Sequence, residues 1–125
     1  MKVISFLNFK GGVGKTTSAH SIAAGLKMKG KKVLVIDMDP QGTLTFFSKG
    51  ERELNGDTRE ILFHEKTIGE AITNGEEFDF IGSNIKLATS ELLLNNGYNK
   101  EQKLKKAIDK MAKDYVYDFI LIDCP

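Results

Sequence analysis

A chain of 125 residues, 41% hydrophobic and 28% charged, has an ordinary globular composition and enough length for one modest domain. Its net charge of +1 singles out no polyanionic partner, and its single cysteine, Cys124, excludes an intrachain disulfide framework and suits a reducing compartment. No segment has the apolar length that spans a bilayer, and the run at residues 3–7 is too short for a signal core, so a cytoplasmic location and no membrane partner are expected.

The N-terminal strand is read at residues 2–8, where Val3, Ile4, Phe6 and Leu7 form a nearly continuous apolar run of the buried, parallel type. Residues 10–17 follow as Lys-Gly-Gly-Val-Gly-Lys-Thr-Thr. Three glycines free the backbone to turn its N–H groups onto an anion. A helix predicted over 16–28 adds its N-terminal dipole, with Ala19, Ile22, Ala23 and Leu26 on one apolar face and Gly30 as its stop. Lys15 is placed to reach nucleotide phosphates, and the Thr16 hydroxyl to ligate Mg²⁺. The loop departs from the general phosphate-loop pattern at Phe9, where a glycine would fall, and carries an extra lysine, Lys10. A second cation there costs like-charge repulsion unless it serves a polyanion.

The second buried strand, 33–36, runs into Asp37-Met38-Asp39-Pro40-Gln41-Gly42. Strand, crossover helix and strand at this spacing form a right-handed parallel unit, which brings both aspartates to the edge that holds the phosphate loop. In that setting the pair suits Mg²⁺ or water positioning better than a plain Asp-Pro turn. Short helices are read at 43–48, 58–64 and 67–73, separated by a charged surface loop at 50–57. A third strand is read at 78–81, then helices at 88–96 and 101–115, the latter with Leu104, Ala107, Ile108, Met111, Ala112 and Tyr115 on its apolar face. The last element, Asp118-Phe119-Ile120-Leu121-Ile122-Asp123, is an apolar strand ending in an acid, the Walker B pattern of P-loop NTPases, with Cys124 a packing residue. The whole reads as an α/β P-loop NTPase domain over 1–125 without internal boundary: a mostly parallel sheet with flanking helices.

Three stretches, KGGVGKTT, IDMDPQG and YDFILIDCP, resemble the deviant-Walker ATPases of the ParA/MinD superfamily, and Asp-x-Asp-Pro-Gln-Gly is most similar to the partition ATPases of ParA type. The run Ser83-Asn84-Ile85-Lys86-Leu87-Ala88, with Glu91 and Leu92, is similar too. The resemblance implies ATP and Mg²⁺ as cofactors and these roles. Lys10, Gly11, Gly12, Val13, Gly14, Lys15, Thr16 and Thr17 bind the phosphates. Lys10 reaches across an ATP-bound homodimer, and Lys15 acts on the β- and γ-phosphates. Asp39 orients the attacking water, and Thr16, Asp37 and Asp123 lie at the metal. It further implies plasmid or chromosome partition, with a ParB-type protein and non-specific DNA as partners of a complete family member. Members run to roughly twice this length, so the chain reads as an N-terminal half truncated after the Walker B strand. An open sheet edge is then expected near that strand, and turnover by this half alone is uncertain. A non-catalytic nucleotide-binding fragment and a MinD-like septum-site ATPase are the alternatives; a nitrogenase-reductase-like cluster protein lacks the cysteines, and a tyrosine kinase lacks a tyrosine-rich tail.

Overall fold

The computed structural model describes residues 1–7, 14–93 and 100–125, with side chains described for these except 15 and 90–93. The elements run β1 (Lys2–Phe6), α1 (Gly14–Met28), β2 (Val33–Asp37), α2 (Thr43–Lys49), α3 (Thr58–Leu62), α4 (Ile68–Ala71), β3 (Thr73–Asn74), β4 (Asp79–Ile81), α5 (Lys86–Leu93), α6 (Lys100–Met111) and β5 (Phe119–Asp123). Among the described residues they build one sheet in the order β1-β5-β2-β4-β3. β1, β5, β2 and β4 are mutually parallel, so their carboxyl ends share one edge.

Alternation along β2 divides the core between two faces. Leu34 and Ile36, with Ile120 and Ile122 of β5, pack under Ile61, Leu62, Ile68, Leu87, Leu104, Ile108 and Met111 from α3 to α6. Val33 and Val35, with Leu121 and Phe80, pack under Ala23 of α1 and Leu44 of α2. Helices therefore cover both faces of the central strands, which is what a parallel sheet requires. Two short helices start on capping boxes, Asp57 with Glu60 at α3 and Thr67 with Glu70 at α4, each satisfying two otherwise orphaned N–H groups.

The first strand departs from expectation. It ends at Phe6 and lies at the sheet edge, where Val3 is 47% and Ile4 39% exposed. The reason is positional: α1 packs on β5 and β2, and β1 has a neighbour on one side only. Lys2 N–H donates to Asp118 O and Phe6 O accepts from Cys124 N–H, so the intervening Val3 and Ser5 turn their backbone groups to the open edge. The open edge is thus β1, and β5 lies inside the sheet between β1 and β2. Ile22, assigned to the buried face of α1, is 43% exposed, whereas Ala19 and Ala23 are fully buried. The sixth helix stops at Met111, so Ala112 is exposed and outside it.

One strand is additional. β3 pairs antiparallel with β4, Thr73 opposite Phe80 and Asn74 opposite Asp79, and ends the expected helix at 67–73 early. Gly75 closes this hairpin. A Cβ there would lie 2.6 Å from Phe78 O and 3.2 Å from the Phe80 ring, so only glycine lets the turn approach the strand. Gly30 has φ +79 after α1, the left-handed stop expected of it.

Candidate nucleotide-phosphate and metal site

The last residues of three parallel strands stand side by side at the carboxyl edge. Phe6 pairs in register with Asp123, and Asp123 with Asp37. Asp37 and Asp123 are each 1% exposed. α1 begins at Gly14 above this edge, and its first turn delivers Thr16, whose Oγ1 donates to Asp123 Oδ2 at 3.0 Å. That contact joins residues 107 apart in sequence. A hydroxyl whose proton goes to a carboxylate keeps its lone pairs for a cation.

Both oxygens of Asp37 are engaged. Oδ1 accepts from Asp39 N–H at 3.0 Å; Oδ2 accepts from Thr45 N–H at 3.0 Å and from Thr45 Oγ1 at 2.6 Å. Burial nevertheless pushes its carboxyl up to about 6 from 3.8, the hydrogen bonds to Thr45 and Asp39 pull it back down, and the negative charge of Asp123 adds to the rise. The carboxylate is therefore costly in the ligand-free fold. With the folded pKa above the unfolded one, this group's stabilising contribution is complete below about pH 4 and is lost as pH rises through 6. The shift corresponds to about 3 kcal/mol. Urea unfolding without nucleotide should accordingly give a higher free energy at pH 5 than at pH 7.5, and Asp37→Ala should shrink that difference; an equal difference in the variant would remove Asp37 as its source.

Asp39 is only half-buried. Its Oδ1 accepts from Gln41 N–H at 3.0 Å, and its carbonyl accepts from Gly42 N–H at 2.9 Å and Ser83 Oγ at 2.8 Å. Gly42 takes φ +65 at the start of α2. Of the residues expected at the site, Gly14, Thr16, Asp37, Asp39 and Asp123 fall at this one edge. Lys10, Gly11, Gly12 and Val13 lie outside the described residues, as does the Lys15 side chain. Thr17 follows Thr16 in the first turn and is exposed. Three buried hydroxyl residues were not anticipated here: Thr45, Ser83 and Thr58, the last donating to Asp37 O at 2.6 Å and Gly82 O at 3.0 Å. Their partners are remote in sequence, and no local pattern announces them.

The donor set suits a divalent cation. The Asp123 charge on the adjacent strand adds to the cost of ionising buried Asp37, which a cation relieves. No group of three or more His, Cys, Asp or Glu side chains forms a metal cage among the described residues. Thr16, Asp37 and Asp123 offer oxygen donors of the kind that hard divalent cations take.

A family model described as an AAA domain matches residues 1–125, the entire chain. The chain belongs to the AAA domain family of ParA/MinD-like P-loop ATPases. Soj, the sporulation initiation inhibitor protein of Bacillus subtilis, is 37% identical over 127 residues, which cover 99% of this chain and 49% of Soj. Cobyrinic acid a,c-diamide synthase of Mycobacterium smegmatis, solved with an ATP analogue and magnesium, superposes with a TM-score of 0.88 at 36% identity, over 100% of this chain and 51% of that one. A plasmid partition protein of Borrelia burgdorferi gives a TM-score of 0.83 at 34% identity, over 99% of this chain and 55% of that one. The chain thus spans about half the length of these ParA-like relatives, and matches their N-terminal half. No helix among the described residues is long and apolar enough to cross a membrane.

Proposed function

We propose that this chain is the phosphate- and Mg²⁺-binding half of an ATP-hydrolysing partition protein that dimerises with ATP bound and acts in plasmid or chromosome segregation. The observation that carries this reading is the 3.0 Å bond from Thr16 to Asp123, which unites the helix after the glycine loop with the acid of the last strand beside Asp37. Likeness to a plasmid partition protein and, at 34% identity, to the chromosome partitioning protein ParA of Myxococcus xanthus supports partition, while likeness to cobyrinic acid a,c-diamide synthase supports the ATP site alone.

In this reading Gly11 to Thr17 cradle the triphosphate, and Lys15 offsets charge on its β- and γ-phosphates. Thr16 and Asp123 hold the metal, with Asp37 a fixed negative charge behind them. When bound, Mg²⁺ supplies charge neutralisation at the phosphate oxygens. Asp39 orients water for in-line attack, and catalysis is mostly positioning. Lys10 reaches the phosphates of the partner subunit. A ParB-type protein and non-specific DNA are partners of the complete polypeptide. Nucleotide binding without turnover is the second reading, since the Thr16–Asp123 corner beside Asp37 suits Mg·nucleotide whether or not a water is activated.

Titration with a fluorescent ATP analogue, with and without Mg²⁺, and steady-state phosphate release separate the two. Lys15→Ala should weaken nucleotide binding about tenfold or more, as loss of a charged phosphate contact does. Lys10→Ala should leave monomer binding nearly unchanged and reduce ATP-dependent dimerisation in light scattering. Equal losses of monomer binding in both variants would rule out a role for Lys10 across the dimer.

A further inference from the structure

Four residues at the carboxyl edge close a ring of hydrogen bonds. Thr45 Oγ1 donates to Asp37 Oδ2 at 2.6 Å and accepts from Ser83 N–H at 2.8 Å. Ser83 Oγ donates to Asp39 O at 2.8 Å, and Asp39 N–H returns to Asp37 Oδ1 at 3.0 Å. Thr45 and Ser83 are each 5% exposed, so the ring is shielded from competing water. It spans three segments: the loop after β2, the first turn of α2, and the loop after β4. Gly82 makes this approach possible, since a Cβ there would meet Thr45 Cγ2 at 2.8 Å.

The ring fastens Asp39 by its backbone at both ends. Its N–H and C=O are taken by Asp37, Gly42 and Ser83, while the carboxylate has one backbone contact of its own, to Gln41. A backbone fixed in this way limits where the carboxylate can swing. We infer that Thr45 and Ser83 are positioning residues, which hold the Asp39 carboxylate in a fixed place relative to Thr16 and Asp123 through this ring. The inference rests on the functional reading above and adds to it a role for the β4–α5 loop, which joins the ring through Ser83. Breaking a buried network that served stability only would lower the unfolding free energy and leave turnover per folded molecule unchanged.

The test compares Thr45→Val, Thr45→Ser and Ser83→Ala with the unaltered chain, using amide hydrogen exchange, Mg²⁺-dependent binding of a fluorescent ATP analogue, and steady-state turnover. Thr45→Val removes the acceptor of Ser83 N–H and should speed exchange at Ser83 and Asp39 by about tenfold or more. It should lower kcat by a similar factor while nucleotide affinity without Mg²⁺ stays within about twofold. Thr45→Ser keeps both bonds and should restore exchange and kcat together. Ser83→Ala opens the ring at Asp39 without touching Asp37, and should lower kcat severalfold at unchanged affinity. Native exchange in Thr45→Val, or native kcat in both Thr45→Val and Ser83→Ala, would overturn the inference. Failure of the unaltered chain to bind nucleotide with Mg²⁺ would be seen before any variant is compared, and would overturn the functional reading and this inference with it.

Discussion

Asp123→Ala should abolish the gain in nucleotide affinity that Mg²⁺ confers, and with it any turnover. Two things are lost together. Thr16 Oγ1 loses the acceptor that holds it at 3.0 Å, and the edge loses one of its two buried acids. Loss of a buried charged partner costs on the order of 1.5–3 kcal/mol per hydrogen bond, about ten- to a hundredfold in affinity. Binding without Mg²⁺ should change little, since the proposed phosphate contacts do not pass through β5. Asp37 should stay costly to ionise in this variant, because burial is the main cause and the Asp123 charge only adds to it. Isothermal titration with ATP in Mg²⁺ and in EDTA reads both quantities. A Mg²⁺ effect that persists in Asp123→Ala would move the metal away from the end of β5.

Phe80→Ala should remove a large share of the stability of the domain. Phe80 is 2% exposed and stands in the sheet between Val35 of β2 and Thr73 of β3. Its ring packs with Val33, Val35, Phe78 and Leu121 on the α1 side, and lies under the turn at Gly75. Truncation of a buried phenylalanine to alanine costs about 3–5 kcal/mol, against about 5–15 kcal/mol for a whole domain. Phe78, the other buried aromatic of this hairpin, is held against His20 on the α1 side. Urea unfolding followed by far-ultraviolet circular dichroism should show the midpoint fall sharply; a loss under about 1 kcal/mol would mean that the site repacks.

What the amino-acid order reveals depends on how local the cause is. β2 and β5 were legible because Val33–Ile36 and Phe119–Ile122 are uninterrupted apolar runs buried on both faces, and the runs end in the acids that form the site. The Thr16–Asp123 pairing was legible through motif order, since each half carries chemistry that the other completes. The same apolar logic misplaced β1. Val3, Ile4 and Leu7 state that a strand is able to be buried, but not whether a layer is present to bury it. β3 is two residues long, shorter than any periodicity can register. Thr45, Thr58 and Ser83 look like ordinary surface hydroxyls in sequence, and only the fold brings their partners to them.

The strand order also dictates an order of assembly. β1 and β2 are consecutive along the chain, yet β5 lies between them, and β1 pairs only with β5. β2, β3 and β4 come from neighbouring stretches and can associate early at small loop-closure cost. β1 has no place in the sheet until the last strand is made and has slotted in beside β2. Long-range parallel pairing of this kind is slow. A ribosome-bound chain therefore cannot join Thr16 to Asp123 until β5 has emerged and paired.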